Sequence, residues 1–247
     1  MKTNDKRTAF ILAAGLGTRL KELTSDRPKA LVELNQKPLL EIVIDNLISQ
    51  NFNHFVINIH HYGDKILDYF KNKNYDNVTI EISDERDLLL DTGGAILKAL
   101  PYFKNSKAVL IHNVDIITDI DFQSTYDDFV DSDDAVWLLT QNRNNKRKIV
   151  FDSHDNFVGR LNLDTNVFDG DSELRDEFKA LSFSGLHFIK PKLFYNFELK
   201  KCYVFDLYKE ISKHNIVKSK FIQPNYWFDL GTQEQLKEAS SWLLSQK

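Results

Sequence analysis

The sequence predicts an α/β protein, a three-layer α/β/α sandwich around a mainly parallel mixed sheet with a small antiparallel extension. Three observations carry this. Short apolar runs alternate with amphipathic stripes of helical period from residue 9 to about residue 140, the pattern of repeated βαβ units. The first run, residues 9–13, is apolar without alternation, as expected of a strand covered on both faces. After Gln141 the helices stop separating the strands, and turns rich in Asn, Asp and Gly take their place.

The elements follow in order. Lys37-Pro38 opens a helix whose stripe is Leu39, Leu40, Val43, Leu47 and Ile48. Residues 54–60 read as a strand, 63–73 as a helix and 78–83 as a short strand. Residues 92–103 start with Thr-Gly-Gly and continue as a helix until near Pro101. Residues 108–112 form another apolar strand, 121–130 a helix and 135–140 a strand. Strands at 148–151, 157–161 and 182–189 make the antiparallel extension, assigned to residues 143–189. Residues 194–196 and 205–214 return to helix, and 216–223 to strand. The last helix, 232–244, is capped by Thr232 and turns Leu236, Ala239, Leu243 and Leu244 inward. The acids between Asp127 and Asp134 read as a solvated helix end and turn.

With 247 residues the chain is long enough for one large domain with a full core, and residues 1–247 are read as a single domain. A net charge of -4 gives no reason to expect nucleic acid or an anionic membrane as the main partner. Cys202 is the single cysteine, so no intrachain disulfide forms, which suits a reducing compartment. The N-terminal apolar run is too short to span a bilayer. A cytoplasmic protein without a membrane partner is expected, and self-association into a homo-oligomer is left open.

The chemistry begins where the first strand ends, at Ala13-Ala14-Gly15-Leu16-Gly17-Thr18-Arg19-Leu20. Gly15 and Gly17 permit a sharp turn and a close approach to a ligand. Exposed amides in such a turn cradle phosphate, and Arg19 and Lys29 add two cations. A dinucleotide fingerprint needs a small residue where Leu20 stands, and a Walker loop needs Gly-Lys-Ser/Thr. Neither fits; a glycine turn with surface cations is the plain alternative.

Single acids then stand at two strand ends, where ligands of open parallel sheets bind. Asp115 follows Ile-His-Asn-Val, and Asp229 follows Tyr-Trp-Phe. An acid flanked by apolar residues needs a partner, and Mg²⁺ favours one or two carboxylates with phosphate oxygens. A helix cap or turn is the other role open to each. Thr92, Gly93 and Gly94 at a helix start are placed to lie against a base or ribose, or simply to form an entry turn. His60, His61 and His112 end strands, but they lack zinc-ligand spacing and are read as structural or substrate-lining.

Leu-Ala-Ala-Gly-Leu-Gly-Thr-Arg-Leu followed by Arg-Pro-Lys-Ala-Leu-Val-Glu-Leu resembles the signature of the sugar-1-phosphate nucleotidyltransferases. The resemblance covers nearly the whole chain and implies a Rossmann-like sheet. It implies a nucleoside triphosphate and a sugar 1-phosphate as substrates, an NDP-sugar and pyrophosphate as products, and Mg²⁺ as cofactor. The loop from Ala13 to Arg19, with Lys29, is then the nucleotide site, and Arg19, Lys29 and Asp115 are the catalytic residues. Asn113-Val114-Asp115 and Trp227-Phe228-Asp229-Leu230-Gly231-Thr232 match the segments that supply the metal ligands, which makes Asp115 and Asp229 the Mg²⁺ pair; Val114 replaces the usual Gly. Thr92, Gly93 and Gly94 fall in the nucleoside-recognition segment. Phe183-Ser184-Gly185 matches the sugar-pocket segment, with Gly185 admitting the sugar.

The family's Glu-Lys-Pro segment, whose Lys meets the sugar phosphate, is absent. Its region offers Arg143, Lys146, Arg147 and Lys148, then Arg160-Leu161-Asn162. Arg147 and Asn162, with Arg160 beside them, are the sugar-site candidates. This departure resembles a short bacterial subgroup near the N-acetylmuramate-1-phosphate uridylyltransferases and mannose-1-phosphate guanylyltransferases. It leaves no residues for the β-helix acyltransferase domain of larger relatives and keeps UTP and GTP both open. An NDP-sugar-dependent glycosyltransferase would need an Asp-x-Asp that Asp115-Ile116-Ile117 does not supply. A non-catalytic nucleotide sensor would not need the two acids.

Overall fold

A computed structural model describes residues 6–71, 73–171 and 173–246. Its strands are β1 (Thr8–Leu12), β2 (Glu33–Leu34), β3 (Lys37–Pro38), β4 (His54–Ile59), β5 (Thr79–Asp84), β6 (Val109–Asn113) and β7 (Ile116–Thr118). They continue as β8 (Val136–Gln141), β9 (Arg147–Phe151), β10 (Phe157–Asn162), β11 (Val167–Gly170), β12 (Lys179–Ile189), β13 (Val217–Phe221) and β14 (Trp227–Asp229). The α-helices are α1 (Leu39–Ser49), α2 (Gly63–Lys71), α3 (Asp91–Ala99), α4 (Phe122–Asp131), α5 (Val204–Ser212) and α6 (Gln233–Ser245).

β5, β4, β1 and β6 lie side by side and parallel. β12 then enters antiparallel between β6 and β8, and β13 closes that edge parallel to β8. Alternation along the buried strands sends side chains to two apolar layers. Ala9 and Ile11 join α1, α2, α4 and α6 on one face. Phe10 joins Val56, Val109 and Ile111 against α3 and α5 on the other. This is the expected three-layer sandwich. Asp121 and Thr232 cap α4 and α6, accepting from the amides of Ser124 at 2.9 Å and Gln235 at 3.3 Å. No helix among the described residues is long and apolar enough to cross a membrane.

The structure differs from expectation in four places. β12 is not confined to the extension. Its first residues pair with β9, while its last four are a central strand of the main sheet. A register shift between Phe183 and His187, with Gly185 at φ +82°, bends one strand into both roles. The extension, made of β9, β10, β11 and the first residues of β12, holds one strand more than the sequence suggested, β11. Lys37-Pro38 forms a bridge strand before α1 rather than its first turn, because Pro38 keeps an extended ψ of 140°. Finally, Leu244 is 55% exposed, so the apolar stripe of α6 stops short of it.

His187 on β12 is buried against Phe183 and Tyr208, and neither ring nitrogen has a partner. Burial pushes its pKa down to about 3. The unfolded chain, with an imidazole near 6.5, therefore binds the extra proton first, and stability is lost as pH falls below that value toward the folded pKa. The variant His187→Leu should flatten this loss by up to one proton, about 1.4 kcal/mol per pH unit. Urea unfolding midpoints between pH 7 and 4.5 measure the slope; equal slopes in both proteins would contradict the assignment.

Candidate active site

The carboxyl ends of β1, β4 and β6 open into a cleft of about 490 Å³. Its first wall is the glycine loop. In register, Leu12 of β1 faces Asn58 of β4. Asn58 Oδ1 accepts from the amides of Ala13 at 2.6 Å and Ala14 at 3.1 Å. Its Nδ2 donates to Glu85 Oε1 at 2.8 Å, and Glu85 Oε2 accepts from the amide of Leu90 at 3.3 Å. Glu85 is fully buried, and burial raises its pKa against the opposing hydrogen bond from Asn58. Ala13 and Ala14 line the cleft, yet their amides belong to Asn58. The part of the loop left open is Gly15 to Arg19, exposed except for half-buried Gly17.

Gly17 has a φ of 64°, and a Cβ there would meet Thr24 Cγ2 at 2.9 Å and Lys29 Cβ at 3.2 Å. Thr24 Oγ1 donates to the Gly17 carbonyl at 3.1 Å. The loop thus folds back onto Lys29, which is only 8% exposed and forms an ion pair with Asp115. Arg19 reaches across to the turn after β14. A Cβ on Gly231 would lie 2.7 Å from Arg19 Nη2, so the guanidinium rests directly on this glycine.

A short antiparallel ladder, β7 with β14, places Asp229 opposite Ile116, and the Leu230 amide donates to the Asp115 carbonyl at 2.9 Å. The two acids from distant parts of the sequence become neighbours. Asp229 Oδ1 is buried with no hydrogen-bond partner. Burial first, then the charge of Asp115, raises the Asp229 pKa, while Lys29, Arg19 and Arg143 act in the opposite sense. An orphaned carboxylate oxygen beside a second carboxylate fits a hard divalent cation that takes its other ligands from phosphate. Among the described residues no group of three or more acids, histidines or cysteines gathers elsewhere as a metal site.

Thr92 lines the opposite wall, and its Oγ1 accepts from the Val204 amide at 3.1 Å. Gly93 and Gly94 do not line the cleft. Both amides donate to the Cys202 carbonyl, at 2.9 and 3.2 Å, so they are not free to read a base. A Cβ on Gly94 would stand 2.5 Å from the Lys200 carbonyl oxygen. These glycines seat the strand of chain before α5, which carries Lys201 to the cleft. Gly185 likewise packs on Asn113, where a Cβ would meet Nδ2 at 2.9 Å. His60 Nδ1 donates to the Glu85 carbonyl at 2.7 Å, His61 rests on Tyr62, and His112 is buried with its pKa pushed down to about 4.

Arg147 and Asn162 pair across β9 and β10, away from the cleft lining. Asn162 Oδ1 accepts from the Asp164 amide at 3.0 Å. Arg160 pairs with Asp169 and, at 3.5 Å, Asp206. Sequence reasoning passed over Asn58 and Glu85, though a lone Asn near the end of an apolar strand and an acid just past the next one were visible signals. Replacing Asn58 by Ala leaves two amides and one oxygen of the buried Glu85 carboxyl without partners, an expected loss of about 3 kcal/mol or more. Urea denaturation measures it; a loss below about 1 kcal/mol, the worth of one ordinary hydrogen bond, would argue against this role.

Residues 8–151 match the nucleotidyl transferase family model. N-acetylmuramate alpha-1-phosphate uridylyltransferase of Caulobacter vibrioides is 39% identical over 113 residues, 45% of this chain and 46% of that protein. D-glycero-alpha-D-manno-heptose 1-phosphate guanylyltransferase of Campylobacter jejuni is 27% identical over 92% of this chain and 95% of its own length. Among solved structures, HddC of Yersinia pseudotuberculosis complexed with GMP-PN shares the fold. Its TM-score is 0.75 at 22% identity, covering 96% of this chain and 99% of that one. The chain belongs to the nucleotidyl transferase family, the family of the sugar-1-phosphate enzymes whose motifs it carries.

Proposed function

We propose that the chain, as one nucleotidyltransferase domain, joins a nucleoside triphosphate to a sugar 1-phosphate in the cytoplasm, giving an NDP-sugar and pyrophosphate. The observation that carries this is the Asp115–Asp229 pair, set beside buried Lys29 at the mouth of the glycine loop. A phosphate oxygen of the sugar 1-phosphate attacks the α-phosphorus. The bond from that phosphorus to the bridging oxygen breaks, and pyrophosphate departs with the electron pair. The nucleophile is already ionised, so no general base is needed. What remains is positioning and charge stabilisation.

Each residue has a part in that work. Backbone amides from Gly15 to Thr18 bind the polyphosphate. Arg19, held against Gly231, and Lys29 offset the negative charge of the reacting and leaving phosphates. Asp115 also holds the Lys29 ammonium in place. Asp115 and Asp229 are the residues that would hold Mg²⁺, which when bound supplies charge neutralisation between phosphate oxygens. Relatives named as uridylyl- and guanylyltransferases support UTP and GTP as the nucleotides to try first, and their names support N-acetylmuramate 1-phosphate and a manno-heptose 1-phosphate as sugars; mannose 1-phosphate is the simpler sugar of that second kind.

Pyrophosphate release, assayed with Mg²⁺ across UTP, GTP, CTP and dTTP against mannose, glucose and N-acetylmuramate 1-phosphates, tests the reading. Release that requires both substrates is expected in one pairing; nucleotide binding with no release in any would count against it. Asp115→Asn and Asp229→Asn should each lower kcat at least about 100-fold, and chelation by EDTA should abolish turnover until Mg²⁺ is restored. Asp229→Asn should also keep or raise the melting temperature, because it removes a charge that folding buries unpartnered.

A further inference from the structure

Several cations in and beside the antiparallel extension are ion-paired where they stand. Arg160 has Asp169 and Asp206, Lys209 has Asp169, and Lys146 has Asp164 at 3.6 Å. Arg143, two residues beyond β8, has no paired acid among the described residues. Its guanidinium lies 3.8 Å from the centroid of the Trp227 ring. One arm, Nη2, donates to the Phe183 carbonyl at 2.5 Å, while Nε is buried without a partner. Trp227 is itself fixed, Nε1 donating to the Ser184 carbonyl at 3.1 Å. The guanidinium plane is therefore set before any ligand arrives, as bidentate binding of a phosphate requires.

A second cation stands close by. Lys148 Nζ donates to the Arg143 carbonyl at 2.5 Å and to Ser182 Oγ at 3.0 Å. Both partners are neutral oxygens. Burial and then Arg143 lower the Lys148 pKa, which marks two positive groups held together. Burial likewise lowers that of Arg143, and Asp229 is the charge that opposes it. Two clustered, partly desolvated cations without an ion-paired acid are costly unless an anion completes them. Trp227, the ring beneath Arg143, stands two residues before Asp229 on β14, so the two side chains leave that strand on the same face. The neighbouring strands also hold two buried polar atoms without partners, Gln141 Nε2 and Ser184 Oγ, which a hydroxylated ligand would satisfy.

We propose that Arg143, backed by Lys148, binds the phosphate of the sugar 1-phosphate beside β14, the strand that carries Asp229. The assignment rests on the proposed reaction and names the residue that stands in for the missing Lys. It displaces Arg147 and Asn162 from that role.

The test compares Arg143→Met and Arg143→Lys with the wild type, using UTP and GTP with mannose, glucose and N-acetylmuramate 1-phosphates. KM for each substrate comes from pyrophosphate release, and binding of each alone from calorimetry. Arg143→Met should raise the KM and Kd for the sugar phosphate roughly 10- to 100-fold, the range for losing a hydrogen bond to a charged group. The nucleotide KM should not change, and Arg143→Lys should recover part of the loss. If Arg143→Met does not fold, Arg143→Lys alone decides, because a point charge cannot reproduce the fork and must still weaken the sugar phosphate selectively. Unchanged constants, or equal losses for both substrates, overturn the assignment while leaving the reaction standing. A wild type that neither binds nor converts any of the three sugar phosphates overturns both.

Discussion

One carboxamide holds the cleft together. Asn58 sits at the end of a strand whose other residues are apolar or face neighbouring strands, and it is 3% exposed. Its oxygen takes the two amides that follow β1, and its nitrogen takes a carboxylate buried beneath the opposite wall. A carboxamide presents an acceptor oxygen and two donor hydrogens on separate atoms, so it can take amides on one side and a carboxyl oxygen on the other. The glycine loop, the strand β4 and the turn that leads into α3 are thereby one connected unit. The loop's later amides project outward because its first two are tied down.

The carboxylate pair depends on a different device. Asp115 and Asp229 are far apart in sequence, and three-residue strands bring them together. Such a short ladder is marginal alone. It is supported from below by the bend in β12, where Gly185 accommodates Asn113 and Ile116. The same bend orients the Ser184 carbonyl toward the Trp227 ring and the Phe183 carbonyl toward Arg143. A single change of strand direction therefore serves both the two carboxylates and the cation stacked on Trp227.

The strand and helix periods made the main sheet legible, together with the glycine loop and both acids, because each is a local pattern. Long-range roles were not legible. Gly93 and Gly94 looked like ligand-facing glycines, and nothing local reveals that the chain near Lys200 lies over them. Gly185 was read as space for a sugar, whereas a side chain from β6 fills it. Arg143 was one cation among several in its stretch, and only its place on the ring of Trp227 sets it apart. The eleven-residue β12 was read as part of the extension because strand sequences do not state which neighbours they will find.

The seating of Gly93 and Gly94 has a further consequence. Cys202 Sγ lies 2.9 Å from where a Cβ on Gly93 would stand, and the Lys200 carbonyl is closer still to that of Gly94. Neither surface can gain an atom without the other receding. In evolutionary terms these two distant stretches are locked into a common drift: a methyl group accepted at residue 93 or 94 demands a compensating retreat of the chain at 200–203. That chain carries Lys201, so the retreat would redraw the rim of the nucleotide cleft. The shape of that cleft can thus shift through packing at a glycine pair that does not line it.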